Sequence, residues 1–524
     1  MIHLKEHKNK FPHPSPQQLA LSGLPRPIKL IFPSLLAAVF LPLSILVFST
    51  GIFPRTNFET LSAASCGPEI DDLRSPLFSA DDRILILAPH PDDETLGCGG
   101  IIQKAVALHL PIRVVFLTYG DDNEWSFLVY RKLPVIGSQA IEKMGLLREK
   151  EARQATARLG LQPQQITFLG YPDHAMESIW NEHWGNRPPA VGPLSRAHQV
   201  PYSDAFRPGA PYKGEDVVED FVSILREFKP TKIFLSHPAD SHPDHRSLYL
   251  FVRVAIWEMK DEINLSPKLF PYLVHFPGWP EHKGCHESMA LEPPKEMENS
   301  IHWLSVPLNP QEEMTKLAAL KLHKSQHESA APFLDAFIRK NELFGDFPEL
   351  IAEQRPLEAA EQGDKQMMEQ RMDERKEKDG SQDNAEPSGP LWLDLDKGKE
   401  RLVIAFFVPG AELDKPHLSF RLFGYRHDVP FAEMPKLLFR ISGETFRVYD
   451  KGEKINSVTV EVKKKGAKLI VAVPLEALGK PQRIFFGTRA ALAPVPALGL
   501  KPQAKSFYSW RIIFIRGKNN REIK

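Results

Sequence analysis

The stretch Arg83-Ile-Leu-Ile-Leu-Ala88, followed by Pro89 and by His90-Pro-Asp-Asp-Glu94, decides the fold. The apolar run is short and ends at a proline, which is typical of a strand buried on both faces of a parallel sheet. Residues 95–108 follow as a helix with a glycine-rich start, and residues 112–118 form a second apolar run. This order predicts a β-α-β unit, in which ligands bind beyond the carboxyl ends of the strands.

The same alternation continues along the chain. We predict further strands at residues 166–169, 232–235 and 272–276, and helices at residues 147–159 and 217–228. Strands that alternate with helices in this way build a parallel sheet with right-handed connections. The sequence therefore predicts an α/β fold with a doubly wound, mostly parallel, Rossmann-like sheet.

A loop with several ionisable side chains follows the first predicted strand. His90-Pro-Asp-Asp-Glu94 places one imidazole and three carboxylates within five residues. The carboxylates would repel one another unless a positive charge lay among them, and imidazole with carboxylate suits zinc. The alternative is that residues 92–94 cap the helix that begins near Thr95.

A second loop of this kind follows the fourth predicted strand. His237-Pro-Ala-Asp-Ser-His-Pro-Asp-His245 contains three histidines and two more aspartates at the same edge of the sheet. The two loops together predict a site for one metal ion. We expect His237, at the strand end, to have a packing role or to support a ligand.

The two loops also carry a family resemblance. His90-Pro-Asp-Asp-Glu94 with the Thr-Leu-Gly-Cys-Gly-Gly100 that follows it, together with His242-Pro-Asp-His245, resembles the paired signature of the LmbE-like or PIG-L family of zinc-dependent N-acetylglucosaminyl deacetylases. The segments Leu169-Gly-Tyr-Pro-Asp173 and His323-Lys-Ser-Gln326 fit the same pattern. The resemblance covers roughly residues 80–345.

The resemblance implies a ligand set and a reaction. His90, Asp93 and His245 match the ligands of one zinc ion per chain, and Fe²⁺ is the alternative metal. Asp92 matches the general base, which would take a proton from a zinc-activated water that attacks the acetyl amide. The products would be acetate and a free amino sugar.

Four further residues receive roles from the same motifs. A protonated His242 would face the scissile carbonyl and stabilise the oxyanion, and Asp244 would tune one of the two histidines beside it. Asp173 and Arg148 are candidate substrate contacts. For Arg148, an ion pair with a neighbouring glutamate on its own helix is the alternative. We expect His174 to be a surface histidine in a turn.

The N-terminal region predicts a membrane anchor. Residues 30–53 contain no charged side chain, and about 20 apolar residues cross a bilayer. Basic residues are more frequent before this run than after it, so residues 1–29 would be a cytoplasmic tail and the rest of the chain would be exported. We expect a single-pass protein of the cell membrane with its catalytic domain on the extracytoplasmic side. A cleaved signal peptide is the alternative.

The remaining chain divides into a tether, a catalytic domain, a linker and a second domain. We predict a tether at residues 54–80, the deacetylase domain at residues 81–348 and a charged, disordered linker at residues 349–389. Residues 390–524 contain about eight short strands, which predicts a β-sandwich that either binds carbohydrate or serves as a packing module. Within the catalytic domain, residues 178–215 form a long insertion whose aromatic side chains would either stack on sugars or cover the sheet edge.

Composition narrows the functional classes. The 524 residues carry 66 basic and 66 acidic side chains, which argues against a nucleic-acid partner bound through a broad basic face. Three cysteines are too few for a disulfide framework. Two hypotheses remain: a membrane-anchored enzyme that deacetylates an N-acetylated sugar of the envelope, and a catalytically inactive sugar-binding envelope protein. The oligomeric state does not follow from the sequence.

Overall fold

Seven strands form one mixed sheet in the first part of the structure, which is a computed structural model. It describes residues 77–122, 137–263, 266–352, 390–396, 400–407, 417–442, 445–465, 468–490 and 509–515. In chain order, the elements up to residue 352 are β1 (Ile84–Ala88), α1 (Asp93–Ala107), β2 (Ile112–Thr118), α2 (Ser138–Arg158), β3 (Ile166–Tyr171), α3 (Met176–Glu182), α4 (Gly214–Phe228), β4 (Lys232–Ser236), α5 (Pro243–Ile263), β5 (Lys268–Tyr272), β6 (Trp303–Pro307), α6 (Pro310–Leu320), α7 (Lys324–Leu334), β7 (Asn341–Gly345) and β8 (Leu350–Ala352).

The strand order of this sheet is β3-β2-β1-β4-β5-β7-β6. The first five strands are parallel, and β7 and β6 continue the sheet in antiparallel pairing. The order reverses at β1, where Ile84 lies opposite Ile112 of β2 on one side and Lys232 of β4 on the other. The predicted α/β class is confirmed, with a mixed sheet. Because β1 and β4 are neighbouring parallel strands, the loops that follow them lie side by side at the same edge of the sheet.

One strand was predicted at the wrong residues. The prediction was 272–276, but the structure has β5 at Lys268–Tyr272. The true strand starts at an exposed lysine and contains Pro271, which is unusual inside a strand, so the pattern pointed to the segment after the proline. Consequently, His275 lies beyond the carboxyl end of β5 and not inside a strand.

The aromatic side chains of the insertion are buried. Trp180 and Trp184 have no exposed surface, and Tyr202 and Tyr212 are at most 4% exposed. Trp180 lies on the short helix α3, and Trp184 donates its indole N–H to the Trp180 carbonyl. These four rings therefore serve packing, and the alternative in which they stack on sugars is wrong.

The C-terminal part consists of two sheets whose own strands pair antiparallel. Its strands are β9 (Pro390–Asp396), β10 (Arg401–Phe407), β11 (His417–Tyr425), β12 (Lys436–Ser442), β13 (Thr445–Asp450), β14 (Glu453–Ile455), β15 (Glu461–Lys465), β16 (Lys468–Pro474), β17 (Arg483–Ala490) and β18 (Ser509–Ile515). The sheets have the orders β15-β16-β10-β9 and β14-β13-β12-β11-β17-β18-β8. Phe406 of the first sheet packs against Phe420 of the second at 5.2 Å between ring centroids, so the two sheets share a core.

Strand β8 joins the two parts of the chain. It follows the mixed sheet directly in sequence, yet it pairs in parallel with β18 of the sandwich, with Leu350 opposite Ile513. The predicted linker 349–389 thus begins with residues that form this strand. The rest of the predicted linker, from residue 353, lies outside the described residues.

The predicted membrane segment also lies outside the described residues. Residues 30–53, the tail before them and the tether as far as residue 76 are not described. In the part of the chain that the structure describes, no helix is both long enough and apolar enough to cross a membrane.

Candidate metal centre

Three ligand atoms from the two predicted loops meet at the carboxyl edge of the sheet. His90 Nδ1 lies 3.3 Å from Asp93 Oδ2, His245 Nε2 lies 3.1 Å from the same oxygen, and the two histidine nitrogens are 3.2 Å apart. Ligands at about 2.0 Å from a tetrahedral zinc ion lie about 3.3 Å from one another. The donor set and its spacing therefore fit one divalent cation with a fourth position open.

A carboxylate supports the far side of the His245 ring. His245 Nδ1 lies 3.1 Å from Asp240 Oδ2. The same oxygen accepts the backbone N–H groups of Val274 and His275, at 3.0 and 2.9 Å, and so links the loop after β4 to the chain after β5. Burial alone would raise the pKa of Asp240, but the His245 imidazole brings this pKa below its ordinary value. Such carboxylate partners fix the ring orientation of metal-binding histidines.

The His90 ring is supported in the same way. Its Nε2 lies 3.0 Å from Asp173 Oδ1 and 3.3 Å from Asp244 Oδ2. Asp244 is completely buried and also accepts the backbone N–H groups of His174 and Met176, at 2.6 and 3.1 Å. Both carboxylates are therefore placed to orient His90 so that its Nδ1 faces Asp93.

Asp92 has a strained backbone. Its φ angle is 131°, a region that residues other than glycine rarely adopt, at a cost of about 1–3 kcal/mol. Asp92 is the N-cap of α1, yet its side chain makes no capping hydrogen bond. The alternative in which this residue serves as a helix cap through its carboxylate is therefore wrong. Strain of this kind is common where a side chain is held in place for function.

The surroundings of Asp92 raise its pKa towards neutrality. Burial raises the pKa of Asp92 to about 7, the Arg148 guanidinium at 3.7 Å opposes this rise, and Asp93 adds to it. A bound cation would lower this pKa again. A carboxyl group with a pKa near neutrality is suited to accept and return a proton.

Arg148 ties two loops together. Its guanidinium donates to the carbonyl oxygens of Gly120 and Pro91, both at 2.7 Å, and the side chain is 3% exposed. The helix-face ion pair considered from the sequence involves Arg153 instead, which lies 2.6 Å from Glu149. Asp173, also 3% exposed, faces His90 as described. The contact of Arg148 and Asp173 with a substrate stays a prediction.

Glu94, the last residue of the first motif, pairs with His323. It accepts hydrogen bonds from the Asp92 backbone N–H at 2.9 Å and the Thr95 hydroxyl at 2.6 Å, and its Oε1 lies 2.9 Å from His323 Nε2. These contacts shape the loop that holds Asp92. The third carboxylate of the motif therefore stabilises this loop and contacts His323.

His242 lies against the site, in surroundings that favour its neutral form. Its ring centroid is 4.7 Å from that of His90 and 5.1 Å from that of His245, and the ring is partly exposed. Burial lowers the pKa of His242 well below its ordinary value, and the neighbouring imidazoles lower it further. Its Nδ1 accepts the Asp244 backbone N–H at 3.3 Å, so the neutral ring carries its proton on Nε2. These surroundings oppose the protonated form expected from the sequence.

Other histidines near the two loops have distinct positions. His174 is exposed, as expected, and has a φ of 60°, with its ring 4.7 Å from that of His242. His237 is outside the cluster: its Nε2 lies 3.1 Å from the Asp346 carbonyl oxygen, its ring stacks on Trp303, and burial lowers its pKa to about 4. The structure thus gives His237 the packing role.

Sequence reasoning missed His275. Its ring centroid lies 4.9 Å from that of His245 and it stacks on Phe333, and its ligand atoms are within reach of a cation near Asp93 and His245. The misplaced fifth strand concealed it, because a histidine after the end of β5 would have been recognised as part of the rim. Asp240 was visible in the second loop, but its pairing with His245 depends on the folded loop.

Comparisons with known proteins agree with the position of this cluster. Residues 85–256 match the family model described as PIG-L, GlcNAc-PI de-N-acetylase. This segment contains both ligand loops. The family resemblance predicted from the motifs is therefore confirmed, and we call residues 85–256 the PIG-L-type segment.

Curated relatives match the same region. A 1D-myo-inositol 2-acetamido-2-deoxy-alpha-D-glucopyranoside deacetylase of Saccharopolyspora erythraea is 31% identical over 172 residues, which are 32% of this chain and 51% of that protein. A deacetylase of the same name from a Mycobacterium species is 30% identical over 188 residues, covering 35% of this chain and 53% of the relative. The chain thus spans about half the length of these curated relatives.

Solved structures show a weaker likeness. The N,N'-diacetylchitobiose deacetylase of Pyrococcus horikoshii is 20% identical, with a TM-score of 0.29, and the match covers 48% of this chain and 75% of that protein. A likeness at this level carries no argument about the chemistry of the site.

Proposed function

We propose that this protein is a metal-dependent hydrolase that removes the acetyl group from an N-acetylglucosamine-type sugar, a polysaccharide or glycolipid of the envelope. The observation that carries the proposal is the triangle formed by His90 Nδ1, Asp93 Oδ2 and His245 Nε2, with sides of 3.1–3.3 Å. The triangle lies within the PIG-L-type segment, and the relatives that match this segment are named as deacetylases of an N-acetylated amino sugar.

The residues around the triangle would have separate roles in the reaction. A divalent cation held by these three ligands would polarise a water molecule and the acetyl carbonyl. Asp92 would accept a proton from the attacking water and return it to the leaving amine. His242, neutral and protonated on Nε2, would donate a hydrogen bond to the oxygen that gains negative charge. The buried carboxylates of Asp244 and Asp240 would hold the two ligand histidines in place.

We assign one Zn²⁺ per chain to this site. Two imidazoles and one carboxylate with an open fourth position are typical of catalytic zinc, and Fe²⁺ is the alternative that the same donors accept. Zinc dependence also agrees with the family that the segment resembles.

The rival hypothesis is a sugar-binding protein without catalysis. Binding alone does not require a carboxyl group at the Asp92 position, still less one held at a φ of 131° in the middle of the metal motif. A strained backbone that costs about 1–3 kcal/mol supports the enzymatic role, because a purely structural loop gains nothing from it.

The decisive experiment compares amine release by the wild type, Asp92→Asn and Asp81→Asn. Asp81 is exposed and lies before β1, outside the metal motif, so its variant controls for the loss of one charge. On a panel of N-acetylglucosamine-containing substrates, Asp92→Asn should lower kcat by roughly 10²- to 10⁴-fold, because the proton acceptor is lost. Asp81→Asn should retain wild-type activity. Equal rates for the wild type and Asp92→Asn would remove the general base, and no release by any form across the panel would favour the rival hypothesis.

The cellular location remains part of the proposal. Attachment to the cell membrane through residues 30–53, with the catalytic domain outside the cytoplasm, rests on the uncharged run and on the basic residues before it. An envelope sugar as substrate follows from that location.

A further inference from the structure

An aromatic cluster joins the PIG-L-type segment to the sandwich. Trp180 of α3 is fully buried, and its ring centroid lies 5.0 Å from that of Phe485, 5.5 Å from Phe431 and 5.7 Å from Phe423, all in the sandwich. The ring also packs at 5.1 Å against Phe251 of α5. We call these five residues the Trp180 cluster. Aromatic rings packed at these distances stabilise a contact beyond the area they bury, so the contact is a strong one.

The start of α3 holds a carboxylate of the metal site. Met176, one helical turn before Trp180, donates its backbone N–H to Asp244 at 3.1 Å, and His174 donates to the same carboxylate at 2.6 Å. Asp244 in turn lies 3.3 Å from Nε2 of His90. Because His174 has a φ of 60°, which is unfavourable for a histidine, this short segment needs support from its surroundings to keep its conformation.

Helix α5 makes the second connection. Its first turn carries Asp244 and His245, and further along the helix Trp257 packs against Tyr425 at 4.8 Å and Phe485 at 5.1 Å. The sandwich therefore contacts both elements that carry or bind Asp244. These contacts are aromatic and buried, unlike those expected of a module that is merely attached through a charged linker.

We propose that the sandwich is a positioning element of the metal site. By holding α3 and α5 through the Trp180 cluster, it fixes the two backbone donors to Asp244 and thus the orientation of the His90 ligand. This inference rests on the metal site of the proposed function and adds a role for the C-terminal domain that requires no ligand of its own. Phe485 and Trp180 are positioning residues, because they act on the site through α3 and α5.

Two adjacent phenylalanines of β17 provide a matched test. Phe485 belongs to the Trp180 cluster. Phe486 points to the opposite face of the strand and packs on Phe406 and Phe420 in the sandwich's own core. Both side chains are at most 1% exposed. Replacing either by leucine in the full-length protein removes a buried ring of the same size, but only one of the two changes affects the support of α3.

The measurement is the zinc dissociation constant, obtained by competition with a chromophoric chelator. The temperature is kept well below the melting temperatures of the wild type and of each variant. Phe485→Leu should weaken zinc binding by roughly tenfold, the lower end of the effect of removing a residue that supports a metal ligand. Phe486→Leu should leave the zinc dissociation constant at the wild-type value, because it removes no support of a metal ligand. Trp180→Phe, a milder change on the α3 side, should weaken binding in the same direction and serves if Phe485→Leu does not fold.

Each outcome decides between the alternatives. Unchanged zinc affinity in Phe485→Leu and Trp180→Phe, or an equal loss in Phe486→Leu, would overturn the positioning role. A wild type that binds no zinc would contradict both the proposed metal site and this inference. Because the assay needs no substrate, a wild type that binds zinc but releases no amine would contradict only the proposed activity.

Discussion

The imidazole of His245 is held at both of its nitrogen atoms. Nδ1 faces Asp240 and Nε2 faces Asp93 and His90, in a position with no exposed surface. Such a ring has one orientation available, so it is prepared to bind a cation before the cation arrives. His237, eight residues earlier, is equally buried but lies outside this arrangement and contacts a backbone carbonyl instead.

The two histidines allow a prediction at the scale of the residue. His245→Ala should lower zinc affinity by at least about 100-fold, because a tetrahedral site loses one of three protein ligands. His237→Ala removes an equally buried imidazole and should leave zinc affinity unchanged while it lowers the melting temperature. Zinc content per chain after gel filtration measures the difference. One zinc per chain in purified His245→Ala would show that His245 is not a ligand.

At the scale of the element, helix α1 is held unusually close to its neighbours. A Cβ atom on Gly97 would lie 2.4 Å from Cδ2 of Tyr272, the last residue of β5. The buried ion pair between Lys316 and Glu342 also reaches this helix, since Lys316 donates to the Leu96 carbonyl at 2.9 Å. Because α1 begins at Asp93, the proposed metal ligand, these contacts set the position of the loop before α1 relative to β5.

Gly97→Ala should therefore destabilise the protein. In a free helix this change stabilises by about 1 kcal/mol, but the clash with Tyr272 should reverse the sign and cost roughly 1–3 kcal/mol of unfolding free energy. Urea unfolding of the wild type and the variant measures the effect.

Removal of the obstructing ring provides the control for that experiment. The double variant Gly97→Ala, Tyr272→Leu should lose less stability than the sum of the two single losses, because the clash disappears with the ring. Strict additivity would mean that the cost has another origin than this contact.

The sequence predicted the elements whose pattern is local. The apolar run before His90 and the strand before His237 were assigned correctly, because each is a short buried run bounded by proline or polar residues. Their neighbouring positions in a parallel sheet then brought the two motifs to one edge. His275 was missed because Tyr272 to Phe276 is as apolar as a strand, although the backbone hydrogen bonds of β5 end at Tyr272.

Contacts between segments far apart in the sequence could not be predicted from these local patterns of apolar and polar residues. The pairing of His90 with Asp173 and of His245 with Asp240 requires loops that meet only in the folded chain. Likewise, the sequence left two possibilities for Trp180, stacking on sugars or covering the sheet edge, and its packing against the sandwich follows only from the folded structure.

At the scale of the whole molecule, the two sheet systems share a hydrophobic core. Phe423, Tyr425 and Phe485 of the sandwich belong to the same buried cluster as the residues of the mixed sheet. Strand β8 adds a backbone connection, because it extends the sandwich sheet directly after the mixed sheet ends. Parts that bury apolar surface against each other in this way are expected to unfold together, unlike domains with small polar interfaces.

This arrangement predicts how the protein responds to a cut between its parts. Residues 353–386 contain many charged side chains and no aromatic residue, so a specific protease site inserted there, between residues 379 and 380, should be cleaved without loss of either part. The two fragments should then co-elute in gel filtration and unfold in one thermal transition, because the Trp180 cluster and the β8–β18 pairing hold them together. The uncut protein with the same insertion is the control. Fragments that separate under native conditions, or two well-resolved transitions, would mean that the sandwich is an independent module, and its role at the metal site would then lose its physical basis.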